Sequence, residues 1–223
     1  MKKKENTRLV KDKIYSRTEE RWNSLSHLLG IVLGVFVAPY FIRLTQGNSL
    51  ALFSVLLYLL GMLSSYVSSS IYHALPPGPS KKKWRHVDHA AIYLHITGSY
   101  APFMLITLSD KGAWGWSVMS FLLVATIGGV LYSFFPQKKH SYIETVCYVL
   151  MGLSVLIAIK PLYDVLAMNN NLATFWLIIG GGVSYIVGAV FYSIHRLPYM
   201  HTVFHFFVLG GSICHILAIF RIL

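Results

Sequence analysis

The sequence predicts an all-α membrane protein, a bundle of seven transmembrane helices. Of its 223 residues, 55% are hydrophobic and 12% are charged, and the mean hydropathy is +0.58. Ordinary soluble domains do not have this composition. Seven apolar stretches fill most of the chain, and each is long enough to cross a hydrocarbon core of roughly 30 Å as a helix. We therefore expect no separate soluble domain.

The predicted spans are separated by short segments rich in Pro, Gly, Asn and Ser, which favour turns. They are Ser24–Thr45, Ser49–Leu75, Trp84–Leu108, Ala113–Phe135, Tyr142–Tyr163, Ala173–Ile194 and Tyr199–Leu223. The chain thus divides into a basic N-terminal arm, residues 1–19, and a seven-helix domain, residues 20–223.

Lys and Arg residues set the predicted orientation, because they are retained on the cytoplasmic side. If the N-terminus is cytoplasmic, fifteen of the 19 Lys and Arg residues fall in cytoplasmic segments. The other four are Arg43, Lys111, Lys160 and Arg221. Seven spans then place the C-terminus outside. We expect a multi-pass protein of the cell membrane, either the plasma or an inner membrane.

The net charge of +11 does not indicate a nucleic-acid-binding protein. Such proteins carry basic patches on a water-exposed folded surface, whereas the basic residues here lie between apolar runs. We expect no nucleic-acid partner. The basic arm is instead expected to contact anionic lipid headgroups.

Polar residues that could carry chemistry gather at the predicted cytoplasmic ends of the spans. Ionisable residues within membrane spans are costly and therefore are candidates for function. The group comprises His27, His73, His86, Asp88, His89, His201 and His205. The histidines at the membrane surface, His86, His89, His140 and His195, are expected to be solvated.

Three of these histidines form a candidate metal site. His201 and His205 are four residues apart, which places both rings on one helix face. His73, from another helix, would supply a third nitrogen. Three protein ligands with one open position are typical of catalytic zinc, although imidazole also binds copper, nickel and iron. The pattern favours Zn²⁺ near the cytoplasmic face.

Asp88 and Ser69 are the candidate catalytic residues beside this site. A carboxylate near a zinc-bound water can accept its proton, and a hydroxyl can stabilise a carbonyl oxygen during attack. Each residue also has a structural interpretation. Asp88 could pair with Arg85 at a helix start, and Ser69 could bond a backbone carbonyl.

Residues at the start of the first span can be interpreted either as a helix cap or as functional residues. In the segment Glu20–His27, Asn23 or Ser24 would serve as a helix cap, and capping is favoured from the residues alone. His95 lies two turns beyond Asp88. It is either a supporting residue of the metal site or a hydrogen-bonded core residue.

These motifs together resemble the hemolysin III family, a bacterial branch related to the progestin and adiponectin receptors. The resemblance rests on Glu20-x-x-Asn23-x-x-x-His27, Ser69-x-x-x-His73, Asp88 with Gly98-Ser99 and Pro102, and His201-x-x-x-His205 with His215. It covers all seven spans, from about Glu19 onward. It implies a seven-helix fold with a cytoplasmic N-terminus and a wider relationship to alkaline ceramidases, which hydrolyse lipid amides.

The resemblance also implies roles for individual residues. The zinc ligands would be His73, His201 and His205. Asp88 would contact zinc through water, with Ser69 beside it. The residues expected to support this site are Glu20, Asn23, His27 and His95.

Three functions are compatible with the sequence. The favoured one is a zinc-dependent hydrolase of a membrane lipid amide or ester. The second is a non-enzymatic regulator of membrane state, or a receptor-like protein, with structural zinc. The third is cytolysis by pore formation, which the family name implies. A secreted pore former needs a soluble form, and seven apolar spans argue against one.

Overall fold

The computed structural model describes residues 15–135, 143–194 and 196–223. These residues form a helical bundle. The helices are Arg17–Leu44 (α1), Ser49–Ala74 (α2), Pro79–Pro102 (α3), Trp114–Ser133 (α4), Ile143–Leu153 (α5), Ile159–Met168 (α6), Leu172–Ser193 (α7) and Met200–Phe220 (α8). A π-helical turn, Phe103–Thr107, follows α3, and a 3₁₀ turn, Ser154–Ile157, joins α5 to α6. Most of the basic arm, as well as Lys138, Lys139, His140 and His195, lies outside the described residues.

The described ranges contain five helices that are long and apolar enough to cross a membrane, namely α1, α2, α4, α7 and α8. The segment from α5 to α6 meets the same criterion as one span bent by 51°. Helix α3 does not meet it, because its sequence is rich in polar side chains, several of which are buried within the bundle. Seven spans and the orientation of the termini therefore stay predictions.

Helix α1 begins earlier than its predicted span because a capping box stabilises its first turn. The Ser16 hydroxyl accepts a hydrogen bond from the backbone N–H of Glu19, and the Glu19 carboxylate accepts one from the Ser16 N–H. The other Glu19 oxygen accepts from the backbone N–H of Tyr199, at 2.9 Å. Glu19 thus fixes the start of α1 beside the start of α8.

The first and last helices of the described bundle, α1 and α8, pack against each other. Helices α1 to α4 contact one another in chain order, α7 packs on α8, and α8 returns to α1. Helix α5 contacts α3, α4 and α7. The backbones of α2 and α3 approach closely at Gly61, where an added Cβ would lie 2.3 Å from the Leu94 carbonyl oxygen.

The outward faces of the long helices are covered by large apolar side chains. Val124 and Ile127 on α4 are 71% and 63% exposed, and Phe36 on α1 is 65% exposed. Apolar surface of this extent is unusual on a soluble monomer and suits contact with lipid. Polar groups are instead buried inside the bundle, where the candidate site lies.

Candidate metal centre

The structure brings the three predicted histidine ligands together at one end of the bundle, which we call the histidine end. His73 lies in the last turn of α2, and His201 and His205 lie in the first two turns of α8. One ring nitrogen from each lies within 4.8 Å of the other two, and the Nε2 atoms of His73 and His201 are 3.1 Å apart. His73 and His205 are almost fully buried. This triad could hold a metal ion.

Hydrogen bonds fix the orientation of His73 and His205. Nδ1 of His73 donates to the Glu20 carboxylate at 2.7 Å, and Nδ1 of His205 lies 3.0 Å from the Asn23 carbonyl oxygen. The Ser26 hydroxyl also lies 3.0 Å from Nδ1 of His205. Metal-binding histidines usually donate their second ring N–H to a carboxylate or a carbonyl. Nε2 of both rings is thereby left for an ion, so the residues fit a metal.

The separation of the nitrogens is consistent with this interpretation. Two nitrogens about 2 Å from a shared tetrahedral ion lie about 3.3 Å from each other. The 3.1 Å between Nε2 of His73 and Nε2 of His201 is close to that value. The donor set is three imidazole nitrogens, which leaves room for a further ligand from the cavity.

Glu20 links the triad to the start of α3. Its Oε1 accepts from Nζ of Lys81 at 3.0 Å. Lys81 also donates to the backbone carbonyls of Tyr72 and Leu75 at the end of α2. The sequence alone did not indicate Lys81, because its place in a run of three lysines suggested only a cytoplasmic loop.

Asn23 and His27 support the triad from α1, and the capping interpretation of Asn23 was wrong. The helix cap is Ser16, so Asn23 lies within α1, where its side-chain oxygen accepts from the Thr202 hydroxyl at 2.5 Å. The His27 ring stacks on His205 with centroids 3.5 Å apart. Asn23 Nδ2 and both His27 ring nitrogens are buried without a hydrogen-bond partner among the described residues.

Asp88 and Ser69 lie on the same side of the bundle as the triad. Both are buried, and both line the same cavity as His73. His73 is among the groups that act electrostatically on Asp88. The structure therefore places the two candidate catalytic side chains together and next to a predicted ligand.

His95 lies with a different group of residues. Its Nε2 is 3.4 Å from the Ser212 hydroxyl, and its ring packs against the rings of Tyr66 and Tyr185. Of the four predicted supporting residues, three contact the triad directly, namely Glu20, Asn23 and His27.

The expectation that His86 and His89 are solvated was wrong, since both are partly buried and hydrogen-bonded. Nδ1 of His89 lies 2.5 Å from the Glu144 carboxylate, which also accepts from the Ser133 hydroxyl at 2.7 Å. Nδ1 of His86 donates to the Ser133 carbonyl. These contacts join α3, α4 and α5, and no spacing rule in the sequence links the three segments.

Two tyrosines that the sequence did not single out pack against His201. The ring centroid of Tyr15 is 5.2 Å from that of His201, and the ring centroid of Tyr192 is 5.4 Å away. They enclose the least buried ligand of the triad with aromatic surface.

A cavity of about 2070 Å³ extends from the histidine end into the bundle. Its wall is mainly apolar. Near the triad it is lined by Glu20, Ser69 and Asp88, and deeper by Tyr100, Phe103 and Ile178. The triad thus faces a space large enough for a lipid-sized molecule.

Comparisons with known proteins show the family of this chain. The family model described as "Haemolysin-III related" matches residues 15–216. "Hemolysin-3" of Bacillus cereus is 35% identical over 199 residues, covering 87% of each chain. "Hemolysin-3 homolog" of Bacillus subtilis (strain 168) is 32% identical over 201 residues, covering 89% of this chain and 92% of the relative.

A more distant relative is mammalian. "Monocyte to macrophage differentiation factor" of Homo sapiens is 29% identical over 175 residues, covering 75% of this chain and 69% of the relative. The family model spans most of the sequence, including every residue of the triad and its supporting contacts. The chain therefore belongs to the haemolysin-III related family of helical membrane proteins.

Proposed function

We propose that this protein is a zinc-dependent hydrolase that cleaves an amide or ester bond of a membrane lipid. One observation carries the proposal. Three imidazole ligands, a buried carboxylate and a serine hydroxyl converge on a large, mainly apolar cavity inside a membrane-type helical bundle. Each part alone has a structural explanation, but their combination supports a hydrolytic role for the site.

Zinc is the metal that this donor set favours. Three neutral nitrogens with a further position open to the cavity match the coordination of catalytic zinc, whereas structural zinc usually has four protein ligands. When bound, zinc supplies Lewis-acid activation of water and polarises a carbonyl. The histidines hold that position through Nε2, because the Nδ1 atoms of His73 and His205 are already engaged.

Asp88 would accept the proton that water loses during attack. Its carboxylate is buried and lines the same cavity as His73. The Ser69 hydroxyl lines the same cavity, where it would donate to this carboxylate and orient it. On substrate binding the same hydroxyl could turn to the substrate carbonyl, since Oγ has one rotatable hydrogen.

The cavity explains why a lipid is the expected substrate. Several of its apolar lining residues are exposed, namely Leu153, Leu156 and Val183. They lie on α5, the 3₁₀ turn and α7, so a chain could pass between these elements from the bilayer. The Lys and Arg distribution favours a cytoplasmic position for the histidine end.

The test is fatty-acid release from a lipid extract by purified, zinc-loaded protein. We expect free fatty acid from the native chain and less than about 1% of that rate from Asp88→Asn, because a general base typically contributes 10²–10⁴-fold. Asp164→Asn, an exposed carboxylate on α6, is the matched control and should retain the native rate. Zinc-loaded native protein that releases no fatty acid from amide or ester lipids would reject the hydrolase.

A second candidate is a regulator in which the metal acts as a clamp. The triad joins α2 to α8, and the bonds of its ligands to Glu20 and Asn23 include α1. A bound ion would therefore hold three helices together. A membrane phenotype that requires the histidines but survives Asp88→Asn and Ser69→Ala would favour this candidate over the hydrolase.

A further inference from the structure

A second layer of polar side chains lies two helical turns beyond the histidine end. On each of four helices, one residue of the histidine end and one polar residue of the second layer are seven positions apart in the sequence. The pairs are His73 and Tyr66 on α2, Asp88 and His95 on α3, Tyr192 and Tyr185 on α7, and His205 and Ser212 on α8. Because seven residues make two turns, both layers face the same interior.

The residues of this deep layer converge on Ser212. The hydroxyls of Tyr66 and Tyr185 lie 2.8 and 3.1 Å from the Ser212 hydroxyl, and Nε2 of His95 lies 3.4 Å from it. If both tyrosines donate, Ser212 donates to Nε2 of His95. The proton of the neutral His95 ring is then on Nδ1, which has no hydrogen bond within this network.

His95, Tyr185 and His215 line the deep part of the cavity. The rings of Tyr185 and His215 are in edge contact, with centroids 5.3 Å apart. His215 donates from Nε2 to the Ile178 carbonyl at 3.4 Å, so its Nδ1 is an acceptor. That atom is buried and has no partner among the described residues.

The neighbouring residues that line the deep part of the cavity include the apolar Phe103, Met104 and Ile178. A buried polar atom without a partner costs about 1–3 kcal/mol, and polar residues are rare inside membrane spans unless they have a function. A purely aliphatic lipid chain would offer no partner to Nδ1 of His95 or Nδ1 of His215, and none to the remaining acceptor capacity of the Tyr185 hydroxyl, which is bonded to Ser212. The wall therefore fits a ligand that carries a polar group at this depth.

The distance of the deep layer from the triad indicates where along a bound ligand the polar group would lie. Ser212 and His215 are seven and ten residues beyond His205, which corresponds to about 10 and about 15 Å along α8. A lipid with its reactive head group at the triad would place the middle of a long acyl chain beside them.

We propose that His95, Tyr185 and His215 form a polar subsite that binds a hydroxyl or carbonyl group near the middle of a lipid chain. The preferred ligands are thus oxygenated lipids rather than plain saturated ones. The inference rests on the proposed function only in placing the lipid head group at the triad. It does not require that a bond be cleaved.

The experiment is competitive binding of two probes, stearic acid and a hydroxystearic acid with its hydroxyl near mid-chain. Native mass spectrometry of the zinc-loaded protein in detergent resolves the two complexes by mass. Since one hydrogen bond contributes about 0.5–1.5 kcal/mol, we expect the native protein to prefer the hydroxylated acid by about 2- to 10-fold. Equal binding of both acids, or binding of neither, overturns the subsite.

Variants locate the preference within the cavity. Tyr185→Phe and His215→Phe should each bind stearic acid as the native protein does but lose the preference for the hydroxylated acid. Tyr148→Phe is the matched control, because Tyr148 also lines the cavity but bonds to the His89 carbonyl, outside the deep layer. A preference that persists in both test variants overturns the assignment.

The result is independent of catalysis. A protein that prefers the hydroxylated acid but releases no fatty acid from lipids retains the subsite and rejects the hydrolase. A protein that hydrolyses lipids without any preference retains the hydrolase and rejects the subsite.

Discussion

The carboxylate of Glu20 bridges His73 and Lys81, with Oε2 2.7 Å from Nδ1 of His73 and Oε1 3.0 Å from Nζ of Lys81. It joins α1, α2 and the start of α3 through one side chain. Lys81 neutralises the carboxylate and also binds carbonyls at the end of α2. The carboxylate that orients a proposed zinc ligand is therefore itself held by an ion pair.

Removal of this carboxylate should weaken zinc binding. We expect Glu20→Ala to lower zinc affinity by about 10- to 100-fold, the usual effect of losing a group that orients a ligand. Glu20→Gln should lose less, since the amide oxygen can still accept from Nδ1 of His73. The measurement is competition with a chelator of known affinity, with Asp164→Asn as the control. Equal affinity in Glu20→Ala and the native protein would contradict the role of Glu20.

The bond between Thr202 and Asn23 should contribute to stability. Thr202→Val keeps the shape of the side chain but leaves the buried Asn23 oxygen without a donor. We expect a loss of about 1–3 kcal/mol, seen as a lower melting temperature in detergent. Thr202→Ser keeps the hydroxyl and should melt close to the native protein. A Thr202→Val variant as stable as the native chain would show that the contact contributes nothing.

The close approach of α2 and α3 predicts a contrast between two glycines. A Cβ at Gly61 would lie 2.3 Å from the Leu94 carbonyl oxygen, whereas a Cβ at Gly128 meets no atom within 4 Å. Gly61→Ala should therefore destabilise the bundle by about 1–3 kcal/mol or more, because the two backbones must separate. Gly128→Ala should cause no loss of stability. Thermal unfolding of both variants gives the comparison, and similar melting temperatures would refute the predicted packing.

Zinc binding and hydrolysis should be separable at Asp88. Asp88→Asn removes the proton acceptor but none of the three histidines, so we expect zinc content near that of the native protein and loss of fatty-acid release. Elemental analysis and the lipid assay are run on the same preparation. If zinc is lost together with activity, Asp88 is needed to hold the metal rather than to accept a proton.

Residue spacing and the predicted order of the spans made the triad a candidate site, and the family resemblance implied the same three ligands. A separation of four residues places His201 and His205 on one helix face, and the alternation of spans brings the end of α2 to the same end of the bundle as the start of α8. The residues that orient the ligands were harder to identify. Nδ1 of His205 bonds the backbone carbonyl of Asn23, and a backbone contact leaves no signal in the identity of a side chain.

Other features depend on tertiary packing that no local pattern encodes. Ser16 caps α1 in place of Asn23, because the capping box with Glu19 lies before the apolar run that marks the span. The bonds of His89 and Ser133 to Glu144 join residues from three helices, so each residue alone looks like a surface group. Helix α3 is rich in polar residues, and several of these side chains are buried inside the bundle. The sequence alone does not show that they are buried.

Zinc content per polypeptide tests the central claim most directly. Native protein and His205→Ala are purified in detergent, incubated with zinc near neutral pH, where the ligand histidines bind without a proton, and measured by elemental analysis. We predict about one zinc ion per native chain and a large loss in His205→Ala. A native chain without zinc, or a His205→Ala variant with an unchanged content, would contradict a zinc site at this triad.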